Sequence, residues 1–208
     1  MNYRLLAISG LGACLALTAA ACSSSPSASS PASSMPASSM PAASGTTTTS
    51  SDFGSGCASV PKSGGGSFTG MATAPVATAA SANPLLSTLV AAVKAAGLVD
   101  TLNSASNITV FAPDNAAFAK IPAATLKGIL ANKAELTKIL TYHVASGRYT
   151  AAQLASGTKI KTLEGGTVTP AMMAGSYTVN GASVVCGNVQ TANATVYIIN
   201  TVLTPPSS

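Results

Sequence analysis

Hydrophobic and polar positions divide the chain into regions of different period. Residues 5–21 form an uncharged, largely apolar run behind a single positive charge at Arg4. Residues 23–51 carry no apolar period; Ser, Ala, Pro and Thr dominate, with no charge and no aromatic. From Pro84 the pattern becomes helical: Leu85, Leu86, Leu89, Val90 and Val93 share one face, and Gly97 stands where a helix-ending glycine belongs. The alternating, β-branched stretch 107–112 predicts a strand, after which Pro113 and Asp114 supply a rigid start and an N-cap for a short helix over Asn115–Ala119. Two further helices are predicted over 122–130 and 134–143. In the second, Leu136, Ile139, Leu140 and His143 recur at i, i+3, i+4 and i+7, which puts the histidine on the core face.

Beyond Lys159 the period shortens. Strands are predicted over 160–163, 167–170, 177–179, 183–185 and 196–203, separated by Gly165-Gly166, Gly175, Asn180-Gly181 and Gly187-Asn188. Asn-Gly is a strong signal for a two-residue hairpin. Helices followed by a β-meander define an α+β fold with helices covering one end of a sheet or sandwich.

Composition narrows the function. Of 208 residues 47% are hydrophobic and only 7% charged, against about 25% charged in ordinary soluble domains. The net charge of +5 is thinly spread, whereas nucleic-acid proteins cluster their basic residues, so no nucleic-acid partner is expected. One histidine and five acidic residues leave little for acid–base catalysis or a multi-ligand metal site. Neither a Gly-x-Ser-x-Gly elbow nor a phosphate loop is present, so the expectation is no enzyme and no cofactor. Lys120, Lys127, Lys133, Lys138, Arg148, Lys159 and Lys161 form either a solvated face or a contact for anionic polymers.

The N-terminus has the layout of an export signal. Small residues Ala19-Ala20-Ala21 precede Cys22, and this region resembles a lipobox, which is cut just before a cysteine whose thiol takes a diacylglycerol. Lipoboxes usually carry Leu three residues before the cysteine, where Ala19 stands here. Leu11-Gly12-Ala13-Cys14 fits that tetrapeptide better, but cleavage there would leave an apolar core of only about seven residues. Cys22 is therefore the expected lipidation site, with residues 1–21 as a lipoprotein signal peptide; the alternative is a plain cleaved signal and a secreted product. Residues 22–56 follow as a tether. Within it, Pro-Ala-Ser-Ser-Met occurs twice, at 31–35 and 36–40. Extended at about 3.1 Å per residue, the uncharged stretch 23–51 would reach about 90 Å, and as a flexible coil about 30 Å. The threonines at 46–49 are candidate O-glycosylation targets. The Asn107 and Asn193 triplets match the N-glycosylation pattern, in predicted strands or their flanks.

The folded domain is expected over 57–206. It contains Cys57 and Cys186, in a chain bound for an oxidising compartment. A disulfide between them is the expectation; two free thiols for redox chemistry are the alternative, without a Cys-x-x-Cys pair to support it.

TVFAPDNAAF at 109–118, LTYHV at 140–144 and TANATVYIINTVLTPP at 191–206 resemble the two end motifs and the central Tyr-His of a fasciclin domain, in that order and at that spacing. With the lipid signal, tether and flanking cysteines, the chain resembles the fasciclin-type surface lipoprotein antigens of mycobacteria. The resemblance implies a compact β-sandwich-like sheet with several helices packed at its edge. It also implies adhesion or another extracellular interaction, non-enzymatic, at a cell surface to which a diacylglycerol on Cys22 holds the protein, with partial secretion allowed. Partners would be a host-cell surface protein, extracellular matrix or an envelope polymer. The family's Tyr-His falls on Tyr142 and His143, implicated in partner contact or in fold integrity. Asp114 and Asn115 match polar positions of the first motif, where capping a helix and making a turn is an equally good reading. The alternative function is an envelope carrier holding a lipid or other hydrophobic molecule between helices and sheet.

Overall fold

A run of short helices comes first, some opened by a local side-chain cap and others held by contacts from distant residues. The computed structural model describes residues 52–206, beginning with a 3-10 turn over Ser55–Ser59. Helix α1 (Phe68–Ala72) starts where the Ser67 side chain accepts from the Gly70 amide, and α2 (Val76–Ser81) follows Pro75. Asn83 caps a 3-10 turn over Pro84–Leu86 that runs into α3 (Ser87–Ala96). As its spacing predicts, α3 ends on Gly97, left-handed at φ 73°, a conformation that glycine adopts without steric cost. Next come α4 (Val99–Ser104) and β1 (Ile108–Pro113). Asp114 then caps α5 (Asn115–Ala119), its carboxylate accepting from the Ala117 amide at 2.6 Å. The predicted helix pair is α6 (Ala123–Ala131) and α7 (Lys133–Tyr142). After β2 (Val144–Ser146), a capping box between Thr150 and Gln153 opens α8 (Ala151–Ala155). The strands β3 (Ile160–Lys161), β4 (Thr167–Val168), β5 (Pro170–Met173), β6 (Ser176–Val179), β7 (Ala182–Gln190) and β8 (Ala194–Ile199) complete the described chain.

The architecture is the expected α+β one: helices plus a curled mixed sheet. Six strands run in the order β2-β1-β8-β7-β6-β5, and β3 pairs with β4 separately. From β5 to β8 the sheet is an antiparallel meander. The β6–β7 turn is the predicted Asn180-Gly181, at φ 48° and 82°. What the pattern did not foresee is that β8 then pairs in parallel with β1, Val110 opposite Val196 and Ala112 opposite Ile198. Gly187-Asn188, expected as a separator, instead lies inside β7. Asn188 takes φ 62° within a register shift between Cys186 and Val189, because a bulge satisfies a left-handed residue as well as a turn does.

Both central strands are buried along their whole length, as a parallel pair covered on two faces must be. Ile108, Val110, Ala112, Val196 and Ile198 face α1–α7, while Phe111, Tyr197 and Ile199 face a second core with Leu154, Ile160, Val168 and Val179. A disulfide between Cys57 and Cys186 fastens the first 3-10 turn to β7. Just ahead of it Phe53 bridges to Gly187 and stacks on Tyr177 at 4.4 Å. A Cβ at Gly187 would overlap the Phe53 ring, so only glycine lets this segment seat.

The neighbouring Asp52 is less well placed. Its Oδ1 is buried without a hydrogen-bond partner among the described residues, and desolvation pushes its pKa up to about 6. A raised carboxyl pKa means that the favourable contribution exists below about 4, the ordinary value, and is lost as pH rises through about 6. Asp52→Asn should therefore raise the melting temperature at pH 7.5 and leave it unchanged near pH 4. The gain should be a few tenths of a kcal/mol, because solvent screens a partly exposed charge. Equal melting temperatures at both pH values would show that the orphaned oxygen has no cost.

Candidate functional site

Tyr142 and His143 are adjacent in sequence but serve opposite cores. Both are 2% exposed. The Tyr142 hydroxyl donates to the Thr167 carbonyl at 2.9 Å and accepts from Asn180 Nδ2 at 2.9 Å, joining the end of α7 to β4 and to the β6–β7 turn. His143 terminates α7 on the other side. Its Nδ1 meets the Ile139 carbonyl at 2.8 Å, and its Nε2 meets the Leu203 amide at 2.9 Å. Because one partner is an acceptor and the other a donor, the proton is assigned to Nδ1. Desolvation lowers the His143 pKa to about 4, opposed by the bond to Ile139, so the ring is neutral at pH 7. With both nitrogens bonded inside the protein, it has no free lone pair to serve as a base.

Asp114 and Asn115 follow the C-terminal end of β1, the end beside which Tyr142 and His143 enter β2. The Asp114 amide donates to the Ile199 carbonyl at 3.0 Å while its side chain caps α5. The Asn115 side chain accepts from the Thr88 amide at 3.0 Å and donates to the Pro84 carbonyl at 2.9 Å, fastening α5 to α3. The segments 109–118, 140–144 and 191–206 are thus brought together. β1 pairs with β8, the Phe111 amide donates to the His143 carbonyl at 2.8 Å, and the His143 ring holds Leu203. Tyr142 and His143 reach solvent poorly, and the half-buried Asp114 and Asn115 are occupied as caps and turn-makers. Cys22 lies outside the described residues.

Asn193, which in sequence shows only a match to the N-glycosylation pattern, is a structural hub. Its Nδ2 donates to the carbonyls of Leu102 and Ala105, each at 2.7 Å, and its Oδ1 accepts from the Val76 amide at 2.8 Å. One side chain thereby ties the β7–β8 turn to the start of α2 and the end of α4; nothing local signals such a knot. The basic face is partly spent on the fold: Arg148 donates to the carbonyls of Thr191 and Ala192, and Lys120 to that of Asn200.

Between α2, α3, α4 and the helix-side face of the sheet lies an apolar cavity of about 110 Å³, walled by Val76, Ala79, Leu89, Val93, Leu102 and Val196 among others. Asn83 and His143 are polar residues on its lining. Fold and site together describe a helix-covered, curled mixed sheet locked by a Tyr-His step, a domain whose chemically versatile side chains are committed to structure.

The chain belongs to the fasciclin family: the Fasciclin domain matches residues 84–205. It is 49% identical to the immunogenic protein MPB70 of Mycobacterium bovis over 162 residues, 74% of this chain and 82% of that one. It is 48% identical to the cell surface glycolipoprotein MPT83 of Mycobacterium tuberculosis, covering 74% of this chain and 72% of the relative. Among solved structures, the FAS1 domain pair of the insect cell adhesion molecule Fasciclin I superposes with a TM-score of 0.56 at 21% identity. That match covers 65% of this chain and 52% of the other, so the chain spans about half the length of that structure.

Proposed function

We propose that this chain is a lipid-anchored protein of the cell surface whose fasciclin domain acts by adhesion or another non-covalent extracellular contact. In this reading residues 1–21 are removed, a diacylglycerol on Cys22 holds the protein in the membrane, and residues 22–56 present the domain at 57–206 to a host-cell surface protein, matrix or envelope polymer. The observation that carries it is the commitment of His143, both nitrogens bonded within the interior, which leaves recognition to the domain's surface. Relatives named immunogenic protein and cell surface glycolipoprotein support the same placement.

The experiment is Cys22→Ala in the full chain. A single acyl chain binds a membrane marginally and two or more hold it firmly, so the variant should move from the membrane fraction to the medium. Adhesion of the expressing cells to matrix-coated surfaces should fall with it. Membrane retention unchanged by the substitution would overturn the anchor; adhesion unchanged by release would overturn the contact role. The apolar cavity favours a second reading, an envelope carrier. At about 110 Å³ it falls below the roughly 300–1,000 Å³ of sites for drug-sized ligands, so the cargo would be a small body rather than a whole lipid.

A further inference from the structure

We propose that the cavity under α2, α3 and α4 binds a small apolar molecule bearing one hydrogen-bond acceptor, an aryl or short-alkyl ketone or ester, with the Asn83 amide donating to that acceptor. This deepens the carrier reading and is independent of adhesion.

The size follows from the walls. An engineered cavity of about 150 Å³ lined by aliphatic and aromatic side chains stays dry and takes up benzene. The present one, at about 110 Å³, is of the same order and open to solvent, so it takes one ring or short chain, with any excess of the ligand lying in the entrance between the helices. Its floor is Val110, Val196 and Ile198 of the sheet, and its exposed lining residues Thr78, Ser81, Lys94 and Thr101 put the entrance where the three helices meet solvent.

The polarity follows from Asn83. It is 1% exposed, and its Oδ1 is used, accepting from the Leu85 amide at 3.0 Å to cap the following turn. Its Nδ2 meets only the Met71 sulfur, at 3.7 Å, among the described residues. A side-chain amide carries two N–H donors, and a thioether is a weak acceptor, so this buried group has donor capacity left over where most buried donors are satisfied. The other buried polar side chains on the lining are complete. His143 is bonded at both nitrogens, and the Thr191 hydroxyl exchanges bonds with the Ala194 backbone. A carbonyl oxygen arriving with an apolar body would supply what Asn83 lacks.

The test compares acetophenone with ethylbenzene, which share a ring and differ by the carbonyl. Both are titrated by calorimetry into the full chain carrying Cys22→Ala, to avoid detergent. On apolar transfer alone ethylbenzene would bind tighter. With the Asn83 bond acetophenone should bind about tenfold tighter, the effect of one hydrogen bond at the upper end of its usual net worth. In the same chain the Asn83 side-chain amide resonances should shift with acetophenone and not with ethylbenzene. Asn83→Ser keeps a capping oxygen and should erase the preference, while Ala79→Leu should block both ligands. Absence of binding by both compounds overturns the site. Equal affinities with a silent Asn83 amide overturn its polarity. Either failure leaves the adhesion reading standing, because that reading uses no residue of the cavity.

Discussion

Replacing Cys57 and Cys186 together with alanine is expected to remove about 4 kcal/mol of folding stability. The bridge closes a loop with a sequence separation of 129 residues, for which the chain-entropy relation gives about 5 kcal/mol; native disulfides measured in practice return about 2–5. The figure is large because of what the bridge holds. The 3-10 turn at Ser55–Ser59 has no buried residue of its own, so without the covalent link it rests on Phe53, stacked on Tyr177 and near Tyr197. In a protein of this size about 1 kcal/mol corresponds to roughly 2–4 °C, so the melting temperature should fall by roughly 10 °C or more. Because the stabilisation acts mainly through the unfolded chain, the β-sheet circular dichroism of the variant should match the parent below its transition. A fall of less than about 1 kcal/mol would mean that the open chain keeps these segments together without the bond.

How much of this was legible follows from where each signal resides. Helix α3, strand β1, the Asp114 cap and the Asn180-Gly181 turn are written locally, in apolar spacing and in residues that choose a backbone conformation, and they form as read. The parallel pairing of β1 with β8 is not local. Ile108 and Ala194 stand opposite one another across most of the domain's length, and neither segment carries a mark of its partner. Helices α1, α2 and α4 were also missed. Each is five or six residues long, too short for an apolar stripe, and contacts such as the Asn193 amide to the Val76 nitrogen hold them from outside. At the site, spacing placed His143 on the core face correctly, but it says nothing of Tyr142 turning into the opposite core. That divergence arises because α7 ends between the two residues and the chain enters β2. The cavity was equally hidden, since it is a property of how α2, α3 and α4 meet the sheet.

His143→Ala should be among the most damaging single substitutions in the domain, and its cost should depend on pH. Truncation removes a ring from an interior position and strands the Leu203 amide and the Ile139 carbonyl, which the ring now joins at 2.9 and 2.8 Å. Stranding one buried polar group costs about 1–3 kcal/mol, so a loss of about 3 kcal/mol near pH 7 is expected, with the exit of the last strand loosened first. The pH dependence comes from the depressed pKa. The unfolded chain takes up a proton near 6.5 and the folded one only near 4. Stability supported by the neutral ring is thus complete above about 6.5 and drains away as pH falls towards 4. At about 1.4 kcal/mol for each tenfold difference in proton affinity, that amounts to about 3 kcal/mol. Asp52 works in the opposite direction over much of this range, so the parent's profile alone would mix the two. The difference between parent and His143→Ala, measured by denaturant unfolding from pH 7 to pH 4, isolates the histidine. That gap should be widest at neutral pH and should narrow steadily with acid. A gap that stays constant across the range would show that the ring titrates alike in the folded and unfolded chain, and would remove it as the strut that joins α7 to the C-terminal segment.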